Sequence, residues 1–216
     1  MLKTIVYVDG FNLYYGALKG TPYKWLDLGT ALGSLLGPRN DIVQIKYFTA
    51  RVGDLEGNGA PQRQDSYIRA LTSHDPRVCV IEGRYSVRPK RVYLDPPLGG
   101  TRFARAMVPE EKGSDVNLAV ALVDDSWRNA FECAVIVSND SDLVGALERV
   151  RDQDRSKRRL VVTPSFEGRR RTVLGLRKAA HRIFELGAPS HLATAQLPDP
   201  VVCLDTGMTI SKPATW

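Results

Sequence analysis

The sequence predicts a three-layer α/β/α sandwich with a mostly parallel central sheet. Apolar runs rich in Val and Ile recur between stretches whose apolar residues have a helical spacing, and this alternation is typical of βαβ units. Runs such as Ala134 to Val137 are apolar on both faces, as expected for strands that helices cover on both sides. With 216 residues, 43% of them apolar, the chain can bury a full core and is most simply one domain.

Strands and helices are expected to alternate along almost the whole chain. The predicted strands are residues 3–8, 42–49, 78–82, 134–138 and 159–163. The predicted helices are residues 26–36, 61–73, 114–128, 141–152 and 172–180. One interruption follows the third strand.

Residues 83–108 form this interruption. The segments 85–87 and 91–94 have an extended character, residues 95–100 are rich in Pro and Gly, and residues 102–108 alternate between polar and apolar. This pattern predicts an antiparallel β-ribbon inserted between the third strand and the central helix.

The α/β domain, residues 1–187, is expected to be followed by a Pro-containing tail, residues 188–216, that packs loosely or contacts a partner. No apolar run approaches the roughly 20 residues that span a bilayer, so no membrane association is expected. The N-terminus runs directly into a strand pattern, which argues against secretion. The three cysteines are far apart and lack CxxC spacing, so buried, inert thiols in a reducing cytoplasm are expected. Homodimerisation and a protein partner stay open.

Basic residues are concentrated in two segments, within a net charge of +6. Residues 155–182 contain ten Lys or Arg residues and one acid, Glu167. The second segment, residues 84–105, contains six more Lys or Arg residues. Such clusters are typical of polyanion binding, although a solvated face on a basic protein explains either cluster alone equally well.

Acidic residues stand where predicted strands end or helices begin. Asp9 ends the first strand, Asp140 and Asp142 follow the fourth, and Asp115 opens the central helix. Ligands of open parallel sheets bind at the carboxyl ends of the strands. Carboxylates brought together there would repel one another and favour a hard divalent cation. The sequence therefore predicts a metal-dependent enzyme, and basic clusters beside such a site indicate a nuclease.

The first motif is Val8-Asp9-Gly10-Phe11-Asn12. A glycine after Asp9 permits a sharp turn that leaves the carboxylate facing the crevice, and Asn12 would direct its amide toward the same point. An ordinary Asp-Gly turn in which Asn12 caps a helix is the alternative interpretation.

The second motif, residues 111–118, places Asp115 in the first turn of an apolar helix. The helix dipole alone would stabilise an acid there by about 0.3–1 kcal/mol, which is the structural alternative. The third motif, residues 138–142, has two acids separated by Ser141. The alternative interpretation is that Asp140 or Ser141 caps the next helix. One acid would be enough for capping, so the presence of a second acid favours a ligand site.

Together these motifs resemble the NYN domain family, a branch of the PIN-like ribonucleases. The resemblance covers about residues 3 to 180 and rests on Tyr7 to Asn12, Lys112 to Val116 and Ser138 to Asp142. It implies a PIN-like parallel sheet of about five strands, a Mg²⁺ or Mn²⁺ site and hydrolysis of RNA phosphodiesters. Many relatives have a further aspartate where this chain has Ala121, which leaves the choice between one and two metals open.

The resemblance also implies roles for individual residues. The expected metal ligands, which match the family's acidic cluster, are Asp9, Asp115, Asp140 and Asp142. Asn12 joins them as a catalytic neighbour that orients water or a phosphate oxygen. Among the polar neighbours, Ser138 also matches the family. The motifs and the two basic segments, and not the resemblance, indicate the full set of residues expected to contact the substrate: Lys112, Ser138, Ser141, Arg88, Arg91, Arg169 and Arg170. Four tyrosines are candidates for stacking on bases, with ordinary partial burial as the alternative: Tyr14, Tyr15, Tyr85 and Tyr93.

The expected function is therefore metal-dependent hydrolysis of single-stranded RNA. An RNA-binding module that has lost turnover is the nearest alternative, and Ala121 favours it. A phosphatase with an aspartyl-phosphate intermediate is disfavoured, because Phe11 stands where the second aspartate would be. The sequence contains neither GxGxxG nor GxxxxGK[ST], so nucleotide binding of those kinds has no support, and its three histidines share no motif.

Overall fold

The computed structural model describes residues 1–55, 57–203 and 206–216. The strands in this part of the chain are β1 (Leu2–Asp9), β2 (Asn40–Thr49), β3 (Val78–Glu82), β4 (Arg84–Leu98), β5 (Thr101–Lys112), β6 (Cys133–Val137), β7 (Arg158–Pro164), β8 (Arg182–Leu186), β9 (Val201–Val202) and β10 (Thr209–Ile210). The α-helices are α1 (Gly10–Leu13), α2 (Leu28–Leu36), α3 (Ala60–His74), α4 (Ser114–Trp127), α5 (Val144–Gln153), α6 (Leu174–Ala179) and α7 (Pro189–Thr194).

The central sheet has six parallel strands in the order β3-β2-β1-β6-β7-β8. It confirms the predicted parallel sheet with helices on both sides and adds one strand, β8, that was not predicted. This strand has the sequence Arg-Ile-Phe-Glu-Leu, and its exposed Arg182 and Glu185 interrupt the apolar run. Because β8 is an edge strand with β7 as its neighbour, it lacks the continuous apolar pattern of the inner strands.

Side chains of β1 alternate between two cores, one on each face of the sheet. Val6 and Val8 point to the core formed with α2 and α3. Ile5 and Tyr7 point to the core formed with α4, α5 and α6. The inner strands are therefore buried on both faces, which explains why their sequences are apolar without alternation.

The inserted ribbon is formed by β4 and β5, which pair antiparallel from Arg84 opposite Lys112 to Leu98 opposite Thr101. It extends beyond the predicted range of 83–108, and its turn is narrower than predicted. Gly99 and Gly100 make that turn with φ of 56° and 78°, values that favour glycine. Because the ribbon closes at Lys112, it returns the chain directly to the start of α4.

The C-terminal segment packs more closely than the sequence suggested. Its residues Leu192, Leu197, Val201 and Ile210 belong to the core on the side of α2 and α3. Trp216 lies against Trp25 and Tyr67, with ring centroids 5.8 and 5.9 Å apart. The expectation of a loosely packed tail is thus not met, because the prolines bound a short helix and turns that carry apolar side chains into the core.

Two further expectations can be compared with the fold. Cys133 is buried as expected, whereas Cys79 lies exposed on the edge strand β3. Within the described ranges, every helix is too short or too polar to cross a bilayer.

Candidate active site

The centre of the sheet is the point where the chain changes direction. From β1 it proceeds outward through β2 to β3, and from β6 it proceeds to the opposite edge through β7 to β8. Connections diverge at such a point and leave a crevice at the carboxyl ends of the two central strands. Val8 lies opposite Val137 in the register, so Asp9 and Ser138 are the first residues to reach this crevice.

Asp9 is held rigidly in the crevice and is only 4% exposed. The Ser138 hydroxyl donates to its Oδ2 and the Asn12 backbone N–H to its Oδ1, each at 2.9 Å. Burial raises the pKa of the Asp9 carboxyl above its usual value, and the charges of Asp140 and Glu111 act in the same direction against the two hydrogen bonds. Asp9 is therefore both the cap of α1 and a carboxylate whose negative charge is incompletely compensated.

Gly10 is required by close approach and not by a left-handed backbone. A Cβ atom there would lie 2.7 Å from Cζ of Tyr47 and 2.9 Å from the carbonyl oxygen of Phe48. The sharp turn expected from the Asp-Gly pair is instead the direct start of α1 against β2. Because Gly10 has no side chain, α1 can begin directly after Asp9 at the carboxyl end of the central strand β1.

Asn12 connects α1 to the loop after β6. Its Oδ1 accepts the backbone N–H of Asn139 at 3.1 Å. Asn139 in turn accepts the Val173 N–H at 2.9 Å and donates to the Arg171 carbonyl oxygen at 3.1 Å. Asn139 was not among the predicted site residues, although its position between Ser138 and Asp140 in the third motif indicated that it lies at the crevice. Three separate segments meet through these two asparagines.

Asp140 caps the short helical turn of residues 141–143, as the structural alternative had it. Its Oδ1 accepts the Asp142 N–H at 2.9 Å, and its own N–H donates to the Ser138 hydroxyl at 3.1 Å. It nevertheless lines the cleft, whereas Ser141 and Asp142 are exposed and stand outside the lining. Ser138 is a buried link between Asp9 and Asp140 and is not placed to contact a substrate.

Asp115 faces the other carboxylates from the first turn of α4. Burial raises its pKa from 3.8 to about 6, aided by repulsion from Asp9, Asp140, Glu111 and Asp142. Glu111 is a member of the site that the sequence analysis did not assign. It lines the cleft from β5, and its Oε1 accepts the N–H of Ser114 at 2.9 Å. Its spacing of three residues before Ser114 was the available signal for this cap.

Of the five basic residues that were expected to contact the substrate, one lines the cleft and four lie outside its lining. Arg170 lines the cleft, and its backbone is fixed by two hydrogen bonds with the buried hydroxyl of Ser165. Arg169 pairs with Glu167 at 2.8 Å, and Lys112 is 70% exposed with Glu110 at 3.8 Å. Arg88 and Arg91 lie on the exposed ribbon and do not line the cleft.

The cleft has a volume of about 220 Å³ and is lined by four carboxylates: Asp9, Glu111, Asp115 and Asp140. An all-oxygen set of this kind suits Mg²⁺ or Mn²⁺. Among the residues that the structure describes, no three acidic, histidine or cysteine side chains form a ready-made ligand group. The arrangement therefore fits a hydrated ion held by one or two carboxylates and its own waters, which is the usual mode of Mg²⁺.

A larger cavity of about 400 Å³ adjoins the cleft and shares Phe11 and Tyr15 with it. Tyr14 and Tyr85 also line this cavity. Tyr93, the fourth tyrosine considered for stacking, instead lies on the ribbon against Phe103, with ring centroids 5.5 Å apart.

Comparisons with known proteins agree with this geometry at the level of the fold. The family model described as NYN domain matches residues 3–187. A relative from Pseudomonas putida (strain DSM 28022 / S16), named 6-hydroxy-3-succinoylpyridine 3-monooxygenase HspA, is 37% identical over 221 residues, which cover 91% of this chain and 70% of that protein. A crystal structure of VPA0982, a protein of unknown function from Vibrio parahaemolyticus RIMD 2210633, matches with a TM-score of 0.52 at 18% identity and covers 86% of this chain and 93% of that one. The likeness to VPA0982 shows the fold alone.

Proposed function

Because the chain belongs to the NYN domain family, a family suggestive of nuclease activity, we propose that it is a metal-dependent ribonuclease acting on single-stranded RNA. The observation that carries the proposal is the convergence of Asp9, Glu111, Asp115 and Asp140 in one cleft at the centre of the sheet. Burial and the neighbouring carboxylates raise the pKa values of Asp9 and Asp115, so ionising these groups is costly without a counter-charge and becomes favourable once a cation neutralises them.

One or two of the carboxylates of Asp9, Asp115 and Asp140 would hold Mg²⁺ or Mn²⁺ directly and the rest through its waters, with Glu111 beside them. When bound, such an ion lowers the pKa of a coordinated water and neutralises charge on phosphate oxygens. Asp9 keeps its orientation through Ser138 and Asn12, so the ligand atoms are positioned before substrate arrives.

Other residues of the cleft would hold the substrate. Arg170 lines the cleft and makes no ion pair with the described residues, so its guanidinium can pair with a phosphate of the strand. The Nδ2 group of Asn12 makes no hydrogen bond to the described residues and can donate to a phosphate oxygen or to the attacking water. Phe11 and Tyr15 form the wall of the cleft and limit its exchange with solvent.

The test is cleavage of labelled single-stranded RNA in the presence of Mn²⁺. Asp9→Asn is expected to lower the rate by about 100-fold or more, because the buried ligand loses its charge while its hydrogen-bond acceptor remains. Asp124→Asn is the matched control, since Asp124 lies outside the cleft and pairs with Arg128 at 2.8 Å. Equal cleavage by wild type and Asp9→Asn, or cleavage that survives chelation, contradicts the proposal.

An RNA-binding module without turnover is the alternative within the same fold. It is favoured by the lack of a ready-made ligand group among the described residues and by Ala121. This alternative predicts that the protein binds the labelled RNA without metal and leaves it uncleaved when Mn²⁺ is added. Homodimerisation, a protein partner and a cytoplasmic location stay predictions.

A second candidate function is oxygenation of a hydroxypyridine. The observation that favours it is the 37% identity over 91% of this chain to a protein named as a monooxygenase of 6-hydroxy-3-succinoylpyridine. The test is incubation with that compound in air with NADH as the reductant, followed by oxygen consumption and mass spectrometry. Substrate-dependent oxygen uptake supports this candidate, and its absence leaves hydrolysis as the activity to be measured.

A further inference from the structure

The cavity beside the acidic cleft has features that the proposed hydrolysis does not use. Its volume of about 400 Å³ lies within the range of small-molecule sites. Aromatic side chains from five separate parts of the chain make up its walls, and they include Tyr14, Tyr15, Tyr47, Tyr67, Tyr85 and Trp216. Such walls suit a flat ring, which can stack or pack edge-on against them.

Two basic side chains of this cavity, Lys24 and Arg63, lack an acidic partner among the residues that the structure describes. Lys24 makes neither an ion pair nor a hydrogen bond with the described part of the chain, and Arg63 donates to the backbone and side-chain oxygens of Asn58. One acid, Asp54, also lines the cavity, but it accepts backbone N–H groups at 2.9 and 3.3 Å and pairs with no described cation.

The electrostatic environment of Lys24 agrees with a missing anion. Burial lowers the pKa of Lys24, and the charges of Arg63 and Lys212 lower it further. Lys212 is held by the carbonyl oxygen of Pro22 at 3.4 Å, so it too lacks a carboxylate partner among the described residues. Lys24 and Arg63 thus bring two positive charges to the cavity wall, and Lys212 adds a third near Lys24 from outside that wall.

Trp216 adds the indole ring of the C-terminal segment to the cavity wall. Its ring packs against Trp25 and Tyr67, with ring centroids 5.8 and 5.9 Å apart. The core therefore fixes the position of this aromatic wall before a ligand enters.

We propose that this cavity binds a small planar aromatic or heteroaromatic molecule that carries an anionic group. The ring lies between the tyrosine walls and Trp216, and the anion pairs with Lys24 and Arg63. A ring carboxylate and a nucleoside monophosphate share this chemistry. The site is separate from the carboxylate cleft and touches it through Phe11 and Tyr15, so the inference does not rest on the proposed ribonuclease activity.

Calorimetric titration of the full chain, without RNA or metal, tests the proposal. The probes are 4-hydroxybenzoate and adenosine 5′-monophosphate, with phenol as a ring without the anion and succinate as an anion without the ring. At least one aromatic anion is expected to bind with a Kd below about 1 mM, about tenfold or more tighter than both controls. The stronger of the two probes identifies the carboxylate or the nucleotide as the source. The proposal is overturned if neither aromatic anion binds, or if phenol or succinate binds as tightly.

Variants of the basic side chains test the assigned residues. Lys24→Met is expected to weaken binding by about tenfold, Lys24→Arg to retain it, and Lys178→Met, an equal charge loss outside the cavity, to leave it unchanged. Thermal denaturation checks that each variant folds, and Arg63→Met replaces Lys24→Met if the latter does not fold. Unchanged affinity in the folded variant overturns the assignment.

Discussion

Replacing Asp115 with asparagine should stabilise the metal-free protein at neutral pH. The Asp115 carboxyl shares a cleft with Asp9, Glu111 and Asp140, and its pKa is raised from 3.8 to about 6. A carboxyl whose pKa is higher in the folded than in the unfolded state opposes folding wherever it is ionised. The penalty is complete above about pH 6, decreases as the pH falls, and disappears below about pH 3.8, where both states are protonated.

The size of this effect follows from the pKa and from the position of the side chain. A rise from 3.8 to about 6 corresponds to about 3 kcal/mol. Asp115 is only partly buried, so solvent screening reduces this figure to about 1–2 kcal/mol. The substitution also removes a favourable interaction of about 0.3–1 kcal/mol with the N-terminus of α4. A net stabilisation of about 1 kcal/mol is therefore expected above about pH 7.

Urea denaturation in the presence of a chelator measures the difference. The free energy of unfolding of Asp115→Asn is expected to exceed that of wild type at about pH 7.5 and to approach it at about pH 4.5. Asp124→Asn is the control, because Asp124 is on the same helix in an exposed pair with Arg128 and should change stability by less than about 1 kcal/mol. A destabilised Asp115→Asn at neutral pH would refute the idea that the cleft carboxylates repel one another.

Three further outcomes are expected. Gly10→Ala should cost about 1–3 kcal/mol, because its Cβ would lie 2.7 Å from Cζ of Tyr47. Gly33→Ala is the control and should stabilise the protein by about 0.5–1 kcal/mol, because a Cβ atom at this position of α2 has open space around it. Urea denaturation measures the free energy of unfolding of both variants. Equal changes would contradict the explanation by close approach at Gly10. Leu192→Ala should cost about 2–5 kcal/mol because this side chain is fully buried, and a cost below about 1 kcal/mol in the same assay would mean that the C-terminal segment is not part of the core. The affinity for RNA should fall steeply between low and moderate salt in filter-binding assays, and a flat dependence would argue against contacts with phosphates.

Much of the fold could be predicted because the inner strands are buried on both faces. A strand such as β6 has five consecutive buried residues and no polar residue that would indicate a loop, so its sequence is easily recognised as a strand. The missed strand β8 and the misjudged C-terminal segment have the opposite character. Arg182 and Glu185 are exposed at a sheet edge, and Leu192 is buried by packing that its neighbours in sequence do not reveal.

The site could be predicted in part, for a related reason. Asp9 and Asp140 follow adjacent parallel strands, so their position after the strands was enough to place them at one edge of the sheet. Glu111 was missed because it reaches the cleft through the pairing of β5 with β4, where it lies opposite Tyr85. Asp142 follows Asp140 by two residues, but capping by Asp140 turns the chain so that Asp142 is left exposed.

Apolar periodicity and the location of acids after strands are local properties, so they were enough to predict the layered α/β fold and the end of the strands where chemistry is expected. They could not predict which carboxylates share the cleft, or that Arg170 lines it while Arg88 and Arg91 do not. They also could not predict the neighbouring aromatic cavity, in which Lys24 has no acidic partner among the described residues. These features depend on strand register, helix capping and the return of the C-terminal segment to the core, which join residues that are distant in the chain.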